Sequence, residues 1–170
     1  METVLEIDFG LRCFFCVLKQ SAVGWLSLSC VGTSARLKTS FELRRVASPT
    51  WYELVVRGRG MGCGGGYCAR SFSVFHVARS RMYEVFRVED SVDTFCLHKE
   101  SKIRLPDEQP ADPGIIVVRR KAAAKRPPPA CAKIRPETSC TVYRWRPSDL
   151  LFHPDKAAAK KRCGPSFRNW

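Results

Sequence analysis

Histidine is scarce in this 170-residue chain, which has only His76, His98 and His153. No nucleophile signature accompanies any of them, and no pair of carboxylates stands out to divide acid and base work, so an enzyme is not expected. Long apolar runs are missing as well. Residues 13–32 come closest, but Lys19, Gln20, Ser21, Ser27 and Ser29 interrupt them. A lysine near a bilayer centre costs about 2.5–3.5 kcal/mol on insertion scales, which disfavours a membrane span. Glu2, Glu6 and Asp8 stand where a secretory signal would carry its cations. A reducing compartment is therefore expected, with cysteines as buried thiols or metal ligands. Acidic residues thin out toward the end: residues 111–170 hold 14 Lys and Arg against 4 Asp and Glu, whereas residues 1–110 hold 15 against 12. Most of the net charge of +13 thus sits in the last third. Such a polycation attracts phosphate backbones or anionic membrane surfaces.

What the chain does have is alternation. Leu5, Ile7 and Phe9 against Glu6 and Asp8 read as a half-buried strand, and Leu11 to Leu18 as a fully buried one. Leu37, Thr39, Phe41 and Leu43 face one way; Arg36, Lys38, Ser40, Glu42 and Arg44 face the other. Further strands are predicted at Trp51 to Arg57, Phe72 to Ala78, Met82 to Val88 and Val92 to His98, with Gly114 to Val118 as a last candidate. The chain is accordingly expected to be mainly β. It reads as a small barrel or sandwich of about eight short strands. Residues 1–118 form that domain, with a Gly- and Cys-rich loop at 57–68, and residues 119–170 form a basic, largely disordered tail. Within the tail, Lys121-Ala-Ala-Ala-Lys125-Arg126 returns as Lys156-Ala-Ala-Ala-Lys160-Lys161-Arg162.

Nine cysteines are an odd number, so full intramolecular pairing would leave one over. Cys63 and Cys68 lie in the Gly-rich loop, and Cys96 and His98 occupy alternate positions of a predicted strand, so all four can converge on one tetrahedral zinc. Their spacing is looser than that of a zinc ribbon; the plainer reading is a core thiol and a surface histidine. Cys13 and Cys16, with Cys30 as a possible third member, read as core thiols because Phe14 and Phe15 fill the gap with apolar bulk. Gly60-x-Gly62-x-x-Gly65 lacks the helix and βαβ frame of a dinucleotide site, and no Lys-Ser/Thr pair follows to make a P-loop.

The basic clusters point to a partner class. Arg119, Arg120, Lys121, Lys125 and Arg126, then Lys160, Lys161 and Arg162, are short runs of the kind read by nuclear import receptors or set against nucleic acid. Arg57 and Arg59 add a modest contact beside the glycines. Tyr143 and Trp145 interleave with Arg144 and Arg146, and rings stack on unpaired bases while guanidinium groups hold phosphate. The expectation is a non-enzymatic binder of nucleic acid, single-stranded RNA above all, in nucleus and cytoplasm. The competing readings are a tail that only keeps the chain soluble, a module that engages a host protein through a β-edge, a membrane-associated protein, and the product of an overprinted reading frame.

A short, basic, Cys- and Trp-containing chain with the Cys63, Cys68, Cys96, His98 quartet and these clusters resembles the small cysteine-rich accessory proteins of plant RNA viruses, the sobemovirus group nearest. The resemblance implies zinc at the quartet, suppression of host RNA silencing and help with virus spread.

Overall fold

A computed structural model describes residues 2–8, 12–34, 40–47, 51–64, 66–78, 81–106, 114–125 and 135–164. The mainly-β expectation holds. Strands β1 (Glu2–Asp8), β2 (Arg12–Ser21) and β3 (Gly24–Ser34) form a three-stranded antiparallel sheet in sequence order. The apolar segment at residues 13–32 is therefore a hairpin, closed at a turn where Ser21 Oγ donates to Gly24 O at 2.8 Å. No helix among the described residues is long and apolar enough to cross a membrane.

Eight strands make the second sheet, in the order β11-β10-β9-β8-β7-β6-β5-β4. They are β4 (Ser40–Arg44), β5 (Glu53–Gly64), β6 (Tyr67–Ala78), β7 (Arg81–Asp93), β8 (Leu97–Arg104), β9 (Ile115–Ala124), β10 (Glu137–Arg146) and β11 (Leu151–Pro154). Every neighbouring pair is antiparallel, and β4 and β11 are the two edges.

The sheet is open rather than closed, but it curls. β6 and β10 stand four strands apart, about 19 Å if the sheet were flat. Yet the ring centroids of His76 on β6 and Trp145 on β10 are 5.8 Å apart. Phe86 on β7 likewise meets Tyr143 on β10 at 5.0 Å and Phe152 on β11 at 5.7 Å. The concave face thus encloses the main core, with Phe72, Phe86, Val55, Val74, Ile116, Val118, Leu105 and Phe152 buried in it. On the convex face, Leu54, Val56 and Phe75 form a second cluster. Strand β3 of the smaller sheet contacts β5 and β7.

The glycine stretch expected as a surface loop is mostly strand. β5 runs on to Gly64 and pairs with β6, with register shifts between Arg57 and Arg59 and between Gly60 and Gly62. Gly58 sits in the first of these at φ 76°, a conformation an L side chain resists. Glycine here serves bulges in a long hairpin.

The basic segment beyond residue 118 also enters the fold. It begins in the middle of β9 and supplies β10, β11 and a helix, α1 (Lys156–Arg162). Two features of the sequence account for this. Ile115 to Val118 and Val142 are β-branched residues buried between elements. Asp155 caps α1 by accepting from Ala158 N at 2.9 Å, ahead of three alanines and three cations in the last turn. Ala158 packs on Ile115, Val117 and Val142, which fixes the helix to the convex face of β9 and β10.

Candidate nucleic-acid interface

The zinc quartet is the first expectation the structure overturns. Cys63, Cys68 and His98 do fall in one row across the sheet: Cys63 opposes Cys68, Cys68 opposes Asp93, and Asp93 opposes His98. The chemistry is different, however. Cys68 and Cys96 each belong to a disulfide, and a sulfur in a disulfide lacks the thiolate charge that zinc requires. His98 Nδ1 lies 2.9 Å from Asp93 Oδ1, which also receives Lys125 Nζ at 2.9 Å. Those hydrogen bonds, from Lys125 first and His98 second, hold the Asp93 carboxyl below the usual carboxylate range. Among the described residues no group of three or more His, Cys, Asp and Glu could hold a metal.

Disulfides also replace the expected free thiols elsewhere. Cys16, read as a core thiol, is bonded to Cys30 directly across the β2–β3 ladder. Cys140 on β10 is bonded to Cys163, the residue that ends α1. Cys131, the tail's remaining cysteine, lies outside the described residues.

Alternation along β10 turns the two rings expected to stack on bases toward the concave face. Tyr143 and Trp145 point into the concave core, Tyr143 against Phe86 and Trp145 against Phe152 and His76. Both residues are half-buried there. Between Trp51 and Trp145, His76 Nδ1 lies 3.2 Å from Glu53 Oε1, while Glu53 Oε2 accepts from Val46 N and Ala47 N at 2.8 and 3.2 Å. His76 is thus a satisfied core histidine, on a fully buried carboxylate.

The same alternation turns the cations outward. Arg144 opposes Ile115 on β9 and His153 on β11, and its Nε donates to Asp155 Oδ2 at 2.7 Å. On β9 and β8, Arg119 opposes Lys102, and Lys121 opposes Glu100. Arg119 also opposes Cys140 on β10, which places it beside the bridge to α1. Burial first, and then the nearby Arg104 guanidinium, hold Arg119 below the usual arginine range. The last turn of α1 carries Lys160, Lys161 and Arg162, of which Lys161 and Arg162 reach this face. Between helix and sheet lies a groove of about 450 Å³, lined by Arg144, Lys161 and Arg162 over Ile115, Ala157 and Ala158, with Asp155 at one end.

Other residues expected to bind take different places. Arg57 lays its guanidinium over the Phe72 ring at 4.8 Å and stands 3.6 Å from Glu42, so it covers core. Arg59 lies on β5. Arg120 belongs to the opposite face of β9 from Arg119, across from Ser101 and Ser139, with its Nε buried. Arg146 stands 3.6 Å from Asp149. Arg126 is outside the described residues.

Lys102 and Arg104 belong to this face although the sequence reading passes over them. Their signal is the polar alternation His98, Glu100, Lys102, Arg104 along β8, where every one of these residues is exposed.

No family model matches this chain, and neither does any curated protein or solved structure.

Proposed function

We propose that the chain is a non-enzymatic nucleic-acid-binding protein that grips the phosphate backbone with the cationic face of β8, β9, β10 and α1. One observation carries the reading. Arg144 and the Lys161–Arg162 pair, from different elements, line a single groove together with Ile115, Ala157, Ala158 and Asp155. Lys102, Arg104 and Arg119 extend the charge away from the groove along the same surface. Several cations on one face suit a repeating phosphate, and the apolar side chains of Ile115, Ala157 and Ala158 among them suit an unstacked base or sugar, which favours single strands. The silencing role implied by the resemblance rested on the zinc quartet, so the proposal stops at nucleic-acid contact.

The test is a mobility-shift comparison of the parent with Arg144→Ala/Lys161→Ala/Arg162→Ala on a labelled single-stranded oligonucleotide. The expected result is a shift by the parent that weakens at least tenfold in the variant, because each cation removed takes away a charge-assisted attraction to phosphate. Equal shifts by both proteins would move the site elsewhere.

A further inference from the structure

We propose that the Cys140–Cys163 disulfide is a redox latch on the cationic groove. Closed, it holds the last turn of α1 and its cations beside Arg144; opened by a dithiol, it lets that turn leave the sheet. The inference rests on the nucleic-acid reading above and concerns the regulation of that same site.

The two ends of α1 are fastened by different chemistry. At the start, Asp155 N donates to Val142 O at 2.8 Å, Asp155 Oδ1 caps Ala158 N, and Asp155 Oδ2 receives Arg144. At the finish, the Cys163 N–H bonds to Ala159 O, within the helix itself, whereas its sulfur is joined to Cys140 on β10. The covalent tie thus joins the C-terminal turn to the sheet, beside the packing of Ala159 and Cys163 on Ile115, Val117 and Val142. A helix of seven residues does not persist in water without such support, and the apolar surface it buries is small, chiefly Ala158. The three cations sit in that last turn, at the end the latch controls.

Both cysteines are half-buried, so a thiol can reach them. A thiolate of the dithiol attacks one sulfur and forms a mixed disulfide, and its second thiol then displaces the remaining cysteine. Two electrons and two protons pass to Cys140 and Cys163, which become thiols, and the reductant becomes a disulfide. The Cys16–Cys30 bridge is different in kind. It joins residues already paired in the β2–β3 ladder, so opening it leaves the hairpin hydrogen bonds in place. A chain matured where thiols are oxidised carries the latch closed, and transfer to a reducing compartment opens it.

The test measures fluorescence anisotropy of a fluorescein-labelled single-stranded oligonucleotide with the full chain, air-oxidised or treated with dithiothreitol. Cys140→Ser/Cys163→Ser and Cys16→Ser/Cys30→Ser are run alongside, and circular dichroism follows the β signal. Reduction is expected to weaken binding about tenfold, the Cys140/Cys163 variant to bind like reduced parent in either condition, and the Cys16/Cys30 variant to keep the full redox response. Equal binding by oxidised and reduced parent overturns the latch and leaves the interface standing. Absence of binding in both states overturns the interface and the latch with it. A loss of binding accompanied by collapse of the β signal in the Cys140/Cys163 variant also overturns the latch, because the bridge would then hold the fold and not the groove alone.

Discussion

Arg144 Nε and Asp155 Oδ2 meet at 2.7 Å, so the carboxylate that caps α1 also fixes the cation at the edge of the groove. The backbone N–H of Ala158, and next the Arg144 guanidinium, hold Asp155 below the usual carboxylate range. A depressed folded-state value means that this contribution to stability is present above the unfolded carboxylate range, near pH 4, and is lost as pH falls through the folded value. Asp155→Ala is expected to lower the melting temperature at neutral pH by about 2–4 °C through loss of the cap. Thermal melts of both proteins from pH 7 to pH 2 check it: the gap between them should close in acid, and a gap that widened would be contrary.

Glu53 makes the buried counterpart. Its two oxygens take Val46 N, Ala47 N and His76 Nδ1, with no exposure to solvent. Removing the side chain strands two backbone donors and a histidine in the core, so Glu53→Ala is expected to cost about 3–5 kcal/mol. Urea denaturation followed by tryptophan fluorescence measures this, since Trp51 and Trp145 flank His76. A loss under about 1 kcal/mol would show that water reaches the pair.

Asp90 runs the other way. Burial raises its carboxyl above the usual range, outweighing the attraction of Arg70 and Arg57. A raised folded-state value favours the fold at pH below the unfolded range and works against it as pH rises through the folded value. Asp90→Asn should therefore stabilise the protein at pH 7, by less than about 1 kcal/mol given partial solvent screening, and the advantage should shrink toward pH 4. Paired urea melts at the two pH values decide it; destabilisation at pH 7 would mean that the arginine attraction dominates.

Because Cys68 and Cys96 are committed to disulfides, a metal chelator should leave the melting temperature of the oxidised protein unchanged. A drop of several degrees with EDTA, reversed by added zinc, would restore the metal site.

Strand alternation was the part of the fold open to reading from the sequence. Period-two patterning along β1, β4 and β7 announces strands, although Leu5 and Leu43, expected to face inward, are exposed, and Gly24, read as lying inside an apolar segment, begins β3 at the hairpin turn. The repeated Lys-Ala-Ala-Ala-Lys block marks where local reading ends. Its first copy is the end of β9, paired with β8 on one side and, through Lys121 and Ala122, with β10 on the other. The second copy follows Pro154 and the Asp155 cap and becomes α1. One sequence takes two structures because pairing partners decide the first and a cap decides the second.

The site was legible to a similar degree. Lys160, Lys161, Arg162 and Arg144 were visible as cations, but Lys161 and Arg162 meet Arg144 on a helix that packs on the sheet and is bridged to it by Cys140–Cys163, and cysteine connectivity does not follow from spacing. Tyr143 and Trp145 alternate with arginines, which says that rings and charges take opposite faces; the curl of the sheet decides that the ring face is the core. The zinc quartet was expected between a Gly-rich loop and a strand; the loop is strand instead, and the ligand set is overturned because position in a sequence does not report oxidation state.

The most direct measurement is the salt dependence of binding to a fluorescein-labelled single-stranded oligonucleotide, comparing the oxidised parent with Lys102→Ala/Arg104→Ala, whose positions lie on the same face away from the groove. A face that contacts four to six phosphates should give a log–log slope of about −3 to −4 for single strands, and removing two cations should flatten it by about 1.4. A parent slope near zero, or a variant slope equal to the parent's, would contradict a phosphate-binding face on β8, β9, β10 and α1.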